Sequence, residues 1–187
     1  MKENERFYAG GKIYYIDPKN NGATYHFYDI EGKEMTDVKV GDQPYEYTVE
    51  GKPSKDKYYV FCDEPMGCWK WGKYGKLLGT KTKIGTGREN TRLIVNHNSG
   101  SLTLKIGITL MNRAKVNNCT DWFIPSKEEL DELACSGLVN DILDNEWVWS
   151  SSESSARNAW NWYSNRRVWD YYYKDSSHRT LVGVRAF

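Results

Sequence analysis

One segment dictates its own conformation residue by residue: PSKEELDELACSG, residues 125–137. Ser126 is placed to cap a helix, and Glu129, three residues on, is placed to return the bond, which makes a capping box. Leu130, Leu133 and Ala134 form an apolar stripe at helical spacing, and Gly137 supplies the stop. A second helix is expected over about 102–114. Its inner face is either Ile106, Leu110 and Met111 or Leu104 and Ile108. The order along the chain is therefore strands, a long irregular region, two helices, then strands. That order predicts an α+β fold in which two helices pack against mostly antiparallel strands with long irregular loops.

The first sixty residues read as β-hairpins. GKIYYIDP is a short strand ended by Pro18, and NNG at 20–22 is a turn. ATYHFYDIEGKEMTDVKV alternates around a tight turn at Glu31-Gly32, and YEYTVEGKPSKDKYYVFC is expected to do the same around Glu50-Gly51. From Trp147 onward the chain returns to strands and closes on the alternating TLVGVRAF. Between them, residues 63–100 hold seven glycines and little periodicity. GTGREN in this stretch lacks the Gly-Lys-Ser/Thr ending of a phosphate loop. It reads as a structural loop ordered by Trp69 and Trp71.

Apolar residues make up 39% of the chain, enough for a core, but 8 Trp and 14 Tyr carry an unusual share of it. Large flat rings suit a loop-rich fold with irregular gaps. A formal charge of +1 provides no field to recruit nucleic acid or an anionic membrane. No run of 18 apolar residues exists, so no membrane-spanning helix is expected, and the first residues lack the apolar core of a signal peptide. Cys62, Cys68, Cys119 and Cys135 form no CxxC pair, which argues against zinc. They read as buried free thiols, with a Cys62–Cys68 or Cys119–Cys135 disulfide as the alternative.

Five motifs then occur in a specific order: WGKYG (71–75), IGTGRENT (84–91), DWFIPSKEEL (121–130), WSSSESSARNAWNWY (149–163) and VRAF (184–187). Together they resemble a bacterial and phage branch of the C-type lectin fold. That branch is related to formylglycine-generating-enzyme-like domains and includes the variable proteins of diversity-generating retroelements. The resemblance covers roughly residues 60–187. It implies a binding domain over 61–187, a variable region at 157–180, and a hairpin region at 1–60 that packs on the domain or forms part of it. Trp122, Pro125, Trp149 and Trp160 would be scaffold.

In such variable proteins a reverse transcriptase misreads template adenines, typically in Asn codons, which yields Asn, Asp, His, Tyr, Ser, Arg and Gly but not Lys or Trp. Of the nine residues 170–178, only Lys174 falls outside that set. Tyr163, Asn165 and Arg166 also belong to it; Trp162 and Trp169 do not, although a mutated AAG codon yields Trp. The resemblance thus assigns ligand contact to Arg157, Asn161, Tyr163, Asn165, Arg166, Arg167, Trp169, Asp170, Tyr171, Tyr172, Tyr173, Asp175, Ser176 and His178. A core of these residues is expected side by side in solvent, with Trp149, Trp160 and Val184 beneath as support. Tyr and Trp offer rigid contact area and Ser and Asn adaptable hydrogen bonds, the composition of antibody paratopes.

The expected function is non-catalytic recognition of a protein or glycan on a cell or host surface. The protein would act at a virion or cell surface, without nucleic acid or membrane insertion, and an oligomer is compatible with this role. The alternative is an invariant binding domain of the same fold, in which the tyrosines are half-buried strand residues. An enzyme of the formylglycine-generating-like group ranks below both. No cysteine follows Cys135, whereas the related enzymes use a cysteine pair near the end of the domain. Ser176, His178 and Asp175 lie too close together in sequence to suggest an oriented triad. Neither QPY (43–45) nor VWD (168–170) completes a calcium motif, so no metal or cofactor is expected.

Overall fold

The capping box forms as Ser126 and Glu129 require. Ser126 Oγ accepts from the Glu129 amide at 3.3 Å, and the Glu129 carboxylate accepts from the Ser126 amide at 2.7 Å. The computed structural model describes residues 5–19, 22–64, 66–100, 102–140, 142–176 and 179–187. In chain order the strands are β1 (Phe7–Tyr8), β2 (Lys12–Ile16), β3 (Ala23–Tyr28), β4 (Glu34–Met35), β5 (Glu46–Gly51), β6 (Tyr58–Phe61) and β7 (Cys68–Trp69). Helices α1 (Gly87–His97), α2 (Leu104–Arg113) and α3 (Lys127–Cys135) follow. The chain then finishes with β8 (Trp147–Glu153), β9 (Asn158–Tyr163), β10 (Val168–Tyr173), β11 (Arg179–Thr180) and β12 (Val184–Ala186).

The architecture is α+β, with three α-helices and mostly antiparallel sheets; the expected count of two helices was one short. The missing helix is α1, which begins inside GTGREN. Its buried residues are Gly87, Asn90, Thr91 and Ile94, of which only Ile94 is a large apolar residue. A helix that buries polar side chains leaves little hydrophobic period to detect. The polar groups act as fasteners instead. Asn90 exchanges two hydrogen bonds with the backbone of Lys81, and Thr91 Oγ1 accepts from the Ile124 amide at 2.8 Å.

In α2 the buried face is Leu104, Ile108 and Met111, while Ile106 and Leu110 face outward. The turn at Glu31-Gly32 joins β3 to β4, with Gly32 at φ 79° where a left-handed turn residue is needed. The expected hairpin around Glu50-Gly51 does not form. β5 pairs with β1 and β3, whereas β6 pairs with β2 and β12. Turn chemistry signals a break but not which strand comes next in the sheet. The predicted turn at 20–22 lies outside the described residues at Asn20 and Asn21.

The described strands make three sheets, in orders β1-β5-β3-β4, β10-β9-β8-β11-β7 and β12-β6-β2. Thus the last strand pairs beside one that begins near residue 58. The five-stranded sheet is packed on both faces near its middle. On one face Val148 and Trp162 join Leu130 and Leu133 of α3; on the other Trp149 and Ala159 join Leu104, Ile108 and Met111 of α2 and Ile94 of α1. A third cluster gathers Ile13, Phe27, Val60, Tyr47 and Phe187, the last two stacked at 4.0 Å. All four cysteines are free, as expected, but only Cys62 and Cys119 are buried; Cys68 and Cys135 are exposed. Among the described residues no helix is long and apolar enough to cross a membrane.

Candidate functional site

Strand β10 is the outer strand of its sheet, so among the described residues one of its edges has no partner strand, and most of its side chains are exposed. Alternation sends its side chains two ways. Trp169, Tyr171 and Tyr173 lie opposite Trp162, Trp160 and Asn158 of β9. Val168, Asp170 and Tyr172 lie opposite Tyr163, Asn161 and Ala159. The three tyrosines are 53%, 42% and 52% exposed, well above what a packed strand residue shows. The residues assigned to one patch therefore occupy two faces of a hairpin.

On the first face, α3 supports the rings. Trp169 Nε1 donates to Asp131 Oδ1 at 2.8 Å, and the Lys127 ammonium lies 4.5 Å from the Trp169 ring and 5.1 Å from that of Trp160. Tyr171 meets Trp160 edge-on at 5.8 Å, and Tyr173 meets Tyr74 at 5.9 Å. Trp160 is only half-buried, so it belongs to this surface and not beneath it. Its partner on one side is the outer strand, whose Tyr171 meets the ring only edge-on. Trp149 and Val184 are fully buried.

The second face continues past the hairpin. Tyr163 stacks on Trp147 at 4.6 Å and its hydroxyl donates to Asn145 Oδ1, which also accepts from the Asn165 side-chain amide. Asn165, Arg166 and Arg167 are exposed in the turn, with Arg167 at φ 52°, and Arg157 is exposed just before β9. Asp175 is exposed and Ser176 half-buried; His178 lies outside the described residues. Asn161 departs from the expectation. It is 0% exposed, on the strand between β8 and β10, where it lies opposite Trp149 and Asp170. Arg179, Trp147, Asn145 and Tyr74 were not singled out in the sequence. Arg179 directly follows His178, whereas Tyr74, Asn145 and Trp147 lie outside 157–180 and only the tertiary structure brings them to the hairpin.

Beneath the loop that follows β10, Lys174 is buried completely. Its ammonium donates to Glu153 Oε1 at 2.5 Å and to the Lys76 carbonyl at 2.8 Å, and lies 4.6 Å from the Trp71 ring. Glu153 in turn accepts from the amides of Leu78, Gly79 and Thr80. Burial alone would push the Glu153 carboxyl up, but the Lys174 ammonium and these amides outweigh it and hold it below the ordinary value. Burial pulls Lys174 down, with Glu153 opposing. The GTGREN backbone is likewise occupied from within, since Glu129 accepts from the Gly85 amide at 2.8 Å. Among the described residues no group of three or more His, Cys, Asp or Glu is placed to hold a metal ion.

No protein-family model matches the chain, and no curated protein sequence matches it significantly.

Proposed function

We propose that this chain is a non-catalytic binding protein with a C-type-lectin-like fold, and that its recognition surface is the β9–β10 hairpin and the loop after it, diversified by a retroelement. The partner is a protein or glycan displayed on a cell or host surface. One observation carries the reading. Between 170 and 178, Lys174 is the single residue outside the Asn-codon set, and among the described residues of that segment it is the only buried one. A position that must hold an ion pair in the interior is one that diversification has to spare. Its exposed neighbours bear no such constraint.

The exposed tyrosines support the same reading, because a fixed half-buried strand would not leave three adjacent rings about half in solvent. The decisive test is genomic. A near-copy of the final coding stretch, differing only at adenines and lying beside a reverse transcriptase gene, is the expected finding. A locus with neither would overturn diversification and leave an invariant binding domain. At the protein level, exchanging Tyr171, Tyr173 and Asp175 together should change the captured partner while leaving the melting temperature nearly unmoved, since solvent-facing changes usually cost within about 0.5 kcal/mol each.

A further inference from the structure

The second face of the hairpin holds a polar arrangement that exposed tyrosines do not explain. Arg179 is 7% exposed, yet it forms no ion pair among the described residues. Its Nη1 donates to Ser176 Oγ at 3.0 Å, and its Nε has no hydrogen-bond partner. The guanidinium instead rests among rings, 3.8 Å from Tyr172, 5.5 Å from Trp149 and 5.6 Å from Trp147. Asn161 lies on β9, between the strands that carry Trp149 and Tyr172, and on the same face. Both atoms of its amide, Nδ2 and Oδ1, are buried and unpartnered.

Buried polar groups are nearly always satisfied, and a buried cation is costly without a counter-charge. Here three orphan atoms from two side chains lie on one face of the sheet, Arg179 on β11 and Asn161 on β9 with β8 between them. Arg179 Nε–H and Asn161 Nδ2–H are donors, which call for an anionic acceptor. Asn161 Oδ1 is an acceptor, which calls for an N–H beside that anion.

We propose that Arg179 and Asn161 form an anchor for a carboxylate with an adjacent amide N–H, the chemistry of a peptide's C-terminal residue, and that Tyr172 is its cover. This rests on reading the hairpin as a recognition surface. The carboxylate accepts from Arg179 and Asn161, and the ligand N–H donates to Asn161 Oδ1. Tyr172 is 42% exposed on the outer strand, so rotation of its side chain uncovers the guanidinium. The free edge of β10 beside it suits a peptide, because an extended chain can add there as a further strand. Asp170 shares the face, opposite Asn161, and its charge opposes the anion.

The test is side-chain nitrogen–proton NMR of the full chain, following the Arg179 Nε–H and the Asn161 amide. Titration with N-acetylglycine should shift both saturably. N-acetylsarcosine, which keeps the carboxylate and lacks the N–H, should bind about fivefold more weakly, the worth of one hydrogen bond. N-acetylglycinamide and sodium chloride should shift neither. Asp170→Asn should tighten binding, and Tyr172→Ala, an exposed change that tolerates folding, should tighten it about two- to fivefold by removing the ring contact. No shift with N-acetylglycine, an equal shift with chloride, or unchanged affinity in Tyr172→Ala would overturn the anchor. A chain without these shifts that still changes partner when Tyr171, Tyr173 and Asp175 are exchanged keeps the recognition role and loses only the anchor.

Discussion

The Lys174 ammonium and the Glu153 carboxylate meet at 2.5 Å with side-chain exposures of 0% and 2%. Their contact joins the loop after β10 to the end of β8, and through the amides of Leu78, Gly79 and Thr80 it also fastens the irregular segment before α1. Removing one partner strands the other charge in the interior. Lys174→Met should therefore cost about 3–5 kcal/mol, whereas Lys174→Met combined with Glu153→Gln should cost less than either change alone. Urea unfolding of the two single variants and the double variant checks the order.

Glycine at position 87 is required by Glu129. A Cβ there would lie 2.1 Å from Glu129 Oε2 and 2.9 Å from the Ile124 carbonyl. Gly87→Ala should destabilise by about 1–3 kcal/mol, the usual cost of overpacking, although alanine is the better helix former. Thermal unfolding gives the sign directly.

His26 on β3 links stability to pH. Its Nδ1 lies 2.8 Å from Glu34, and its Nε2 is 3.4 Å from Glu50 without hydrogen-bond geometry. The Glu34 bond foremost raises its pKa above the ordinary 6.5. A raised folded-state pKa means the contribution is complete below 6.5 and fades as pH rises through the folded value. The site is partly solvated, so at most about 1 kcal/mol is at stake. Melting temperatures of the protein and of His26→Gln should converge as pH rises from 6 to 8.5; a gap that stays constant would refute the linkage.

Thiol chemistry should divide the four cysteines in two. Cys68 and Cys135 are exposed, while Cys62 is buried with its pKa pushed up to about 11, chiefly by desolvation. Reaction with a thiol reagent at neutral pH should modify two cysteines quickly and leave Cys62 and Cys119 for slow, unfolding-limited reaction. Peptide mapping of the early product identifies them.

Trp149 is fully buried beneath the hairpin and donates Nε1–H to the Trp69 carbonyl at 2.8 Å. Trp149→Ala should cost about 3–5 kcal/mol. Exchange of Tyr171 on the surface should stay within about 0.5 kcal/mol. Denaturant midpoints separate the two classes.

What the chain announces by itself is what short-range chemistry decides. Ser126 and Glu129 cap α3 with bonds three residues apart, so the helix is legible at its own position. Alternation in Tyr171, Tyr172 and Tyr173 forces at least one ring outward, and the outer position of β10 leaves all three there. Periodicity failed where polar residues do the packing, as Asn90 and Thr91 do in α1, because their burial depends on the Lys81 backbone and the Ile124 amide. It failed again at the five-stranded sheet. Asn161 is buried and Arg179 is caged only because β8, β9, β10 and β11 align Trp149, Trp147 and Tyr172 around them. Those partners span residues 147–179, and a local pattern carries no information about which strands will lie side by side. Lys174 shows both limits at once: its codon class marks it as different from its neighbours, but only the fold supplies Glu153, 21 residues away, as the reason.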